Sequence, residues 1–202
     1  MSSENSSTLR QIWNSSYTFW ALLSLPAALF LAGAANDGNI RHILNPTGEF
    51  GARFLIITLM ITPLLMLFPK SSALRWLMQR RRYWGVAAFA YAALHGLAYV
   101  AREGTLAKII GELGEFGIWT GWLALAIFIP LALTSNHASM RFLGRKWKSL
   151  QRWVYAAAVF TLAHWMFVEF EPAPALVQFG PLIGLEAWRA WRIWGPTPAI
   201  AA

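Results

Sequence analysis

Apolar residues fall along this chain in six runs, over residues 17–35, 52–68, 83–101, 118–134, 153–168 and 175–191, parted by short polar connections. Each run approaches the ~20 residues that a helix needs to cross a hydrocarbon core of about 30 Å. The second and fourth runs are almost free of charge, whereas Glu186 and Arg189 sit near the end of the sixth. Pro26, Pro63, Pro130 and Pro181 interrupt otherwise helical stretches. Membrane helices tolerate proline where neighbours re-satisfy the freed backbone groups, so these positions predict kinks rather than breaks. The pattern predicts an all-α integral membrane protein, a six-helix transmembrane bundle.

Composition strengthens this reading. The 202 residues are 57% hydrophobic and only 13% charged, with twelve Trp and thirteen Phe, and a soluble domain of this size has too much surface to cover with so few charges. Residues 1–16 form a polar N-terminus expected to be disordered, residues 17–192 one membrane domain, and residues 193–202 a tail. No internal repeat stands out. The chain has no cysteine, which excludes disulfides, thiolate metal sites and thiol catalysis.

The charge distribution sets the topology. The net charge is +8, and the basic residues concentrate in two connections. Lys70, Arg75, Arg80, Arg81 and Arg82 lie between runs two and three; Arg141, Arg145, Lys146, Lys148 and Arg152 lie between runs four and five. Neither connection holds an acid, while Asp37, Glu49, Glu103, Glu112, Glu115, Glu169 and Glu171 fall in the other three. By the positive-inside rule the two basic connections and both termini are cytoplasmic. This placement favours topology and lipid headgroups over nucleic acid as the use of the charge.

Four histidines are then the candidate chemistry. His42 and His137 fall in connections, where a solvated role is the plain reading. His95 and His164 lie inside runs three and five, and ionisable groups at membrane depth point to function. The plain alternative for each is a neutral imidazole hydrogen-bonded to a neighbouring helix. Their heights argue for a pair. His95 follows Arg82 by thirteen residues and His164 follows Arg152 by twelve, which at ~1.5 Å per residue is about 20 and 18 Å along each helix. Odd-numbered spans of an up-down bundle run parallel, so two level imidazoles are expected to face each other in the outer half of the bilayer. That is the arrangement a bis-histidine haem requires. Gly96, beside His95, leaves room for a flat macrocycle. No Ser-His-Asp set, phosphate loop or paired intramembrane carboxylates support hydrolysis or ion pumping.

The runs NPTGEFGARFLIITLMITPL, RRRYWGVAAFAYAALHGLAYVARE and LALTSNHASMRFLGRKWKSLQRWVYAAAVFTLAHWMF, in that order, resemble the MsrQ (YedZ) family of the ferric reductase-like transmembrane group. The resemblance covers residues from about Gly38 to Phe170. It implies a haem b subunit of the bacterial inner membrane that also carries FMN. Such a subunit takes electrons from the quinone pool or a cytoplasmic flavin reductase. It passes them to a periplasmic molybdenum enzyme that repairs methionine sulfoxide, so the substrate chemistry belongs to the partner. The family's haem ligands carry over to His95 and His164. Arg53, in the segment GARFL, is the expected partner of outward-facing haem propionates, with Arg102 the other outer candidate. Arg80, Arg81, Arg82 and Arg152 suit lipid headgroups, a flavin or a quinone better than that haem.

One position departs from the family. Relatives open the fifth span with L-H-x-x-V-Y, and this chain reads LQRWVY, with Gln151 in place of the inner histidine. An amide oxygen is a poor haem ligand, so one haem per chain is expected. On an ideal straight helix positions 151 and 164 would lie about 140° apart. Trp84, Trp147 and Trp153 are candidates to fill the space of an inner haem. Two further readings stay open: a quinol or metal-ion reductase using the same haem, and an accessory subunit that stabilises a larger membrane complex with or without haem.

Overall fold

The computed structural model describes residues 15–168 and 172–195, all in helices and short turns. Six long helices are α1 (Ser16–Asp37), α2 (Arg41–Leu67), α4 (Arg81–Glu103), α6 (Phe116–Leu133), α9 (Val154–Val168) and α10 (Ala173–Trp194). Four short ones join them: α3 (Ser72–Gln79), α5 (Leu106–Glu112), α7 (His137–Leu143) and α8 (Arg145–Gln151). By length and apolarity α1, α2, α4 and α6 can cross a membrane. Helix α9 has 15 residues, and α10 carries Glu186, Arg189 and Arg192, so these two fall short of that measure. The expected disordered N-terminus lies outside the described residues up to position 14, whereas Ser15 caps α1 through its hydroxyl and Ser16 is helical. Helix α10 runs two residues beyond the expected end of the domain. The acids Glu169 and Glu171 lie outside the described residues.

Helix ends follow local chemistry. Gly38 and Gly104 close α1 and α4 with φ of 63° and 70°, the left-handed cap conformation that glycine adopts without a Cβ clash. At the basic end of the bundle, Ser71 and Asn136 cap α3 and α7 by accepting from Leu74 N–H and Ser139 N–H.

Helix α2 is the hub, packing on α1, α4, α9 and α10. Leu55, Leu59 and Ile61 on it are almost fully buried. Two antiparallel pairs carry the closest packing, α2 with α4 and α6 with α9. Both use small residues where backbones meet, as membrane helices do when lipid removes the hydrophobic drive for association. A Cβ on Gly51 would lie 3.3 Å from the backbone nitrogen of Ala92, and one on Gly117 would lie 2.8 Å from Val168 and 3.0 Å from the backbone of Phe167. Leu29, Leu97, Val159 and Val177 face outward, as lipid-facing side chains must.

Pro26 is accommodated by a side chain. Next to Pro26 in α1, the Tyr91 hydroxyl of α4 accepts from Ala27 N–H at 2.8 Å and donates to Leu23 C=O at 2.9 Å. It stands between the two groups that an unbroken helix would join directly. Arg81 of α4 donates to Thr58 C=O of α2 at 2.8 Å, giving its guanidinium a partner inside the bundle. In α10, Arg189 pairs with Glu186 at 3.1 Å and donates to the Tyr155 hydroxyl of α9 at 2.8 Å, so neither charge is left alone.

Candidate functional site

His95 on α4 and His164 on α9 meet across a cavity of about 380 Å³, with ring centres 5.8 Å apart and planes at 78°. Their helices are not one of the closely packed pairs. Each packs chiefly on an antiparallel partner, α4 on α2 and α9 on α6, and the imidazoles cross the gap.

The two halves of the site are built alike. The His95 Nδ1 lies 2.8 Å from Leu44 C=O on α2, and the His164 Nδ1 lies 2.7 Å from Gly117 C=O on α6. A carbonyl only accepts, so Nδ1 carries the proton in each ring and the lone pair is on Nε2. The residue four places after each carbonyl is a glycine. A Cβ on Gly48 would lie 2.9 Å from the His95 Nδ1, and one on Gly121 would lie 2.5 Å from the His164 Nδ1. Before each glycine stands a fully buried threonine. Thr47 donates towards Ile43 C=O at 2.6 Å and Leu44 C=O at 3.1 Å, and Thr120 towards Phe116 C=O at 2.9 Å and Gly117 C=O at 2.8 Å. A Thr-Gly pair on one helix thus receives a histidine from the next, twice. The sequence shows this repeat only as two dipeptides, Thr47-Gly48 and Thr120-Gly121, too short to recognise without knowing which histidine each one faces.

Among the described residues no group of three or more His, Cys, Asp or Glu side chains gathers to hold a bare metal ion. Two imidazoles alone suit a metal that brings its equatorial ligands with it, as haem iron does. Metal–imidazole bonds of about 2 Å on opposite faces would set ring centres roughly 6 Å apart, close to the observed separation. The wall is largely apolar, with Ala52, Leu125 and Phe128 on it and Gly48 and Gly121 giving space to the two imidazoles. Gly96 does not open the room expected beside His95, because a Leu125 methyl stands 3.2 Å from where its Cβ would lie.

The polar end of the cavity lies where α2 begins and α4 ends, lined by Arg41, Asn45, Glu49, Tyr99 and Arg102. Tyr99 donates to Glu112 of α5, which ties that short helix to the cavity mouth. Arg102 pairs with Glu103 at 2.6 Å. Arg53 is not in the lining: its guanidinium donates to Glu49 at 2.5 Å and to Gln178 of α10 at 3.0 Å. It touches the site only through Glu49. Arg41 and Asn45, which sequence reasoning missed, share the stripe of α2 that holds Leu44 and Gly48, at the 3–4 residue spacing of one helix face.

At the basic end, Gln151 is occupied otherwise. Its amide donates to Leu131 C=O and the Thr134 hydroxyl, both at 3.1 Å, and the neighbouring Trp147 indole donates to Thr134 C=O at 2.9 Å. Trp84 packs edge-on against Phe19 and Phe54, whereas Trp153 is largely exposed. Positions 151 and 164 do not share one helix, because a turn at Arg152 and Trp153 separates α8 from α9. His137 Nε2 accepts from the Arg82 guanidinium at 3.3 Å, and His42 pairs with Asp37 at 3.2 Å; neither lines the cavity.

The family model for the ferric reductase-like transmembrane component matches residues 47–162, a span that holds both Thr-Gly pairs and His95 and ends two residues before His164. Proteins named protein-methionine-sulfoxide reductase heme-binding subunit MsrQ, from Brucella ovis, Brucella canis and Brucella suis, are each 35% identical to the chain over 164 residues. Those residues make up 79% of this chain and 71% of each relative. No solved structure matches. The chain belongs to the ferric reductase-like transmembrane family and, within it, to the MsrQ heme-binding subunits.

Proposed function

We propose that this chain is a six-span haem b subunit of the bacterial inner membrane. It passes electrons from the quinone pool or a cytoplasmic flavin reductase to a periplasmic methionine sulfoxide reductase. The observation that carries the reading is the facing pair His95 and His164, each with Nδ1 held by a carbonyl, which makes Nε2 the nitrogen with a lone pair to offer. The relatives' name, heme-binding subunit of a methionine sulfoxide reductase, supports the cofactor and the class of partner.

When bound, haem supplies a one-electron iron centre. The chain does the rest. Leu44 C=O and Gly117 C=O fix the tautomer and the orientation of the ligand rings, and a donated hydrogen bond raises ligand basicity. Ala52, Leu125 and Phe128 give the macrocycle an apolar wall. Arg41 and Arg102 line the polar end and supply the cations that haem carboxylates prefer. Arg53 contributes by neutralising Glu49, which would otherwise set a lone carboxylate against that edge.

The positive-inside assignment puts the histidine pair in the outer half of the bilayer, near a periplasmic acceptor. With Gln151 committed to α6, the reading expects one haem per chain. A reduced-minus-oxidised spectrum of the purified protein, with haem and protein quantified together, tests it. A b-type spectrum at about one haem per chain is the expected result, and a chain purified from haem-replete membranes without haem would overturn the reading.

A further inference from the structure

The repeated threonines have a use beyond packing. Leu44 C=O and Gly117 C=O each face two side-chain donors, a histidine Nδ1–H and a threonine hydroxyl. Helix geometry adds the backbone N–H of the following glycine, four residues on. A carbonyl oxygen has two lone pairs, so these donors compete. Whatever share of the oxygen the threonine takes is lost to the imidazole.

Resting on the haem reading above, we propose that Thr47 and Thr120 are positioning residues that set the reduction potential of the bound haem. They do so by limiting how strongly Leu44 C=O and Gly117 C=O accept from His95 and His164. A stronger Nδ1–H···O=C bond gives the ring more imidazolate character and makes it a better donor to iron. That favours the oxidised metal and lowers the potential. Each threonine weakens the bond and holds the potential up.

The two sites are not equal. Thr120 stands 2.8 Å from Gly117 C=O, nearer than its 2.9 Å contact with Phe116 C=O. Thr47 stands 3.1 Å from Leu44 C=O and spends most of its hydroxyl on Ile43 C=O at 2.6 Å. The competition is stronger at His164. Potential is therefore controlled mainly from the α6–α9 side, although the two histidines look alike.

Spectroelectrochemical titration of the full-length protein in detergent, as wild type, Thr47→Val, Thr120→Val, Thr47→Ser and Thr120→Ser, tests this. Valine keeps the shape and removes the donor, and serine keeps the donor. Both valine variants should retain haem and titrate at lower potential than wild type, Thr120→Val by the larger shift, with the serine variants close to wild type. A valine variant that loses haem while its serine counterpart keeps it overturns the inference, because the hydroxyl would then be needed to hold the ring rather than to compete for its carbonyl. Valine variants that titrate with wild type overturn the inference. So do serine variants that shift as far as valine, since the methyl and not the hydroxyl would then matter. A haem-bearing wild type with unmoved valine variants sinks this inference alone, whereas a wild type without haem sinks the proposed function with it.

Discussion

His95 and His164 reach each other from helices that are not close packing partners, with ring centres 5.8 Å apart. Each ring is aimed by a carbonyl on its own antiparallel neighbour. Each half contributes one nitrogen, so losing either would remove half of the protein's hold on the iron. His95→Ala and His164→Ala should therefore each abolish haem binding while the apoprotein still inserts. Haem-to-protein ratios of the purified variants check this; a full complement in both, with unchanged spectra, would show that other groups ligate the iron.

The glycines behind the imidazoles make a graded prediction. Alanine at position 121 would put a methyl 2.5 Å from the His164 Nδ1, and at position 48 would put one 2.9 Å from the His95 Nδ1. Neither contact is tolerable without displacing the ring, and the first is the worse. Disturbed support of a metal ligand costs on the order of tenfold or more in affinity. Gly121→Ala should weaken haem binding at least that much, and Gly48→Ala less. Haem titration into the apoprotein would show the order, and equal, unaltered affinities would mean that the rings do not sit in these notches.

Much of this site was legible from counting. Helical rise is constant, so counting from each arginine-rich end gave both histidines nearly equal heights, and the structure brings the two rings within 5.8 Å of each other. Azimuth was not legible. Arg53 has a suitable height, yet it falls one residue beyond Ala52, about 100° around α2 from the cavity wall. That a gap parts spans three and five was not legible for a similar reason. Loop lengths say which helices are antiparallel neighbours in sequence, but not that a cavity separates the two that matter. Proline positions announced irregularity at Pro26, whereas the partner that repairs it, Tyr91, comes from another helix and leaves no local signal.

Tyr91→Phe should destabilise the protein. Its hydroxyl serves Ala27 N–H and Leu23 C=O together, and an unsatisfied buried backbone group costs about 1–3 kcal/mol. Tyr91 also lies one turn before His95 on α4, so loosening α1 reaches the wall of the site. The expected result is a lower thermal midpoint with haem still bound at low temperature. An unchanged midpoint would show that α1 closes its own hydrogen bond once the hydroxyl is gone.

Topology can be read independently. Reporter fusions after Lys70 and Lys146 should report the cytoplasm, and fusions after Glu112 the outer compartment, from the charge of the flanking connections. Reversed signals would move the histidine pair to the cytoplasmic half and remove the case for a periplasmic acceptor.

Gln151→His asks whether the missing inner ligand is the sole obstacle to a second haem. The Gln151 amide spans Leu131 C=O and the Thr134 hydroxyl, and Trp147 holds Thr134 C=O from the same side. These bonds fasten α8 onto the end of α6, where a macrocycle would have to enter. Further in, Trp84 is wedged between the rings of Phe19 and Phe54, with Phe54 in turn against Tyr91. An imidazole at position 151 would replace one donor in this filled region without clearing any aromatic bulk. The haem-to-protein ratio of the variant should stay near one, with the spectrum of the wild type. A second low-spin haem, seen as a doubled ratio and a two-step redox titration, would show that the inner half can open and that the substitution at 151 alone separates this chain from a two-haem path.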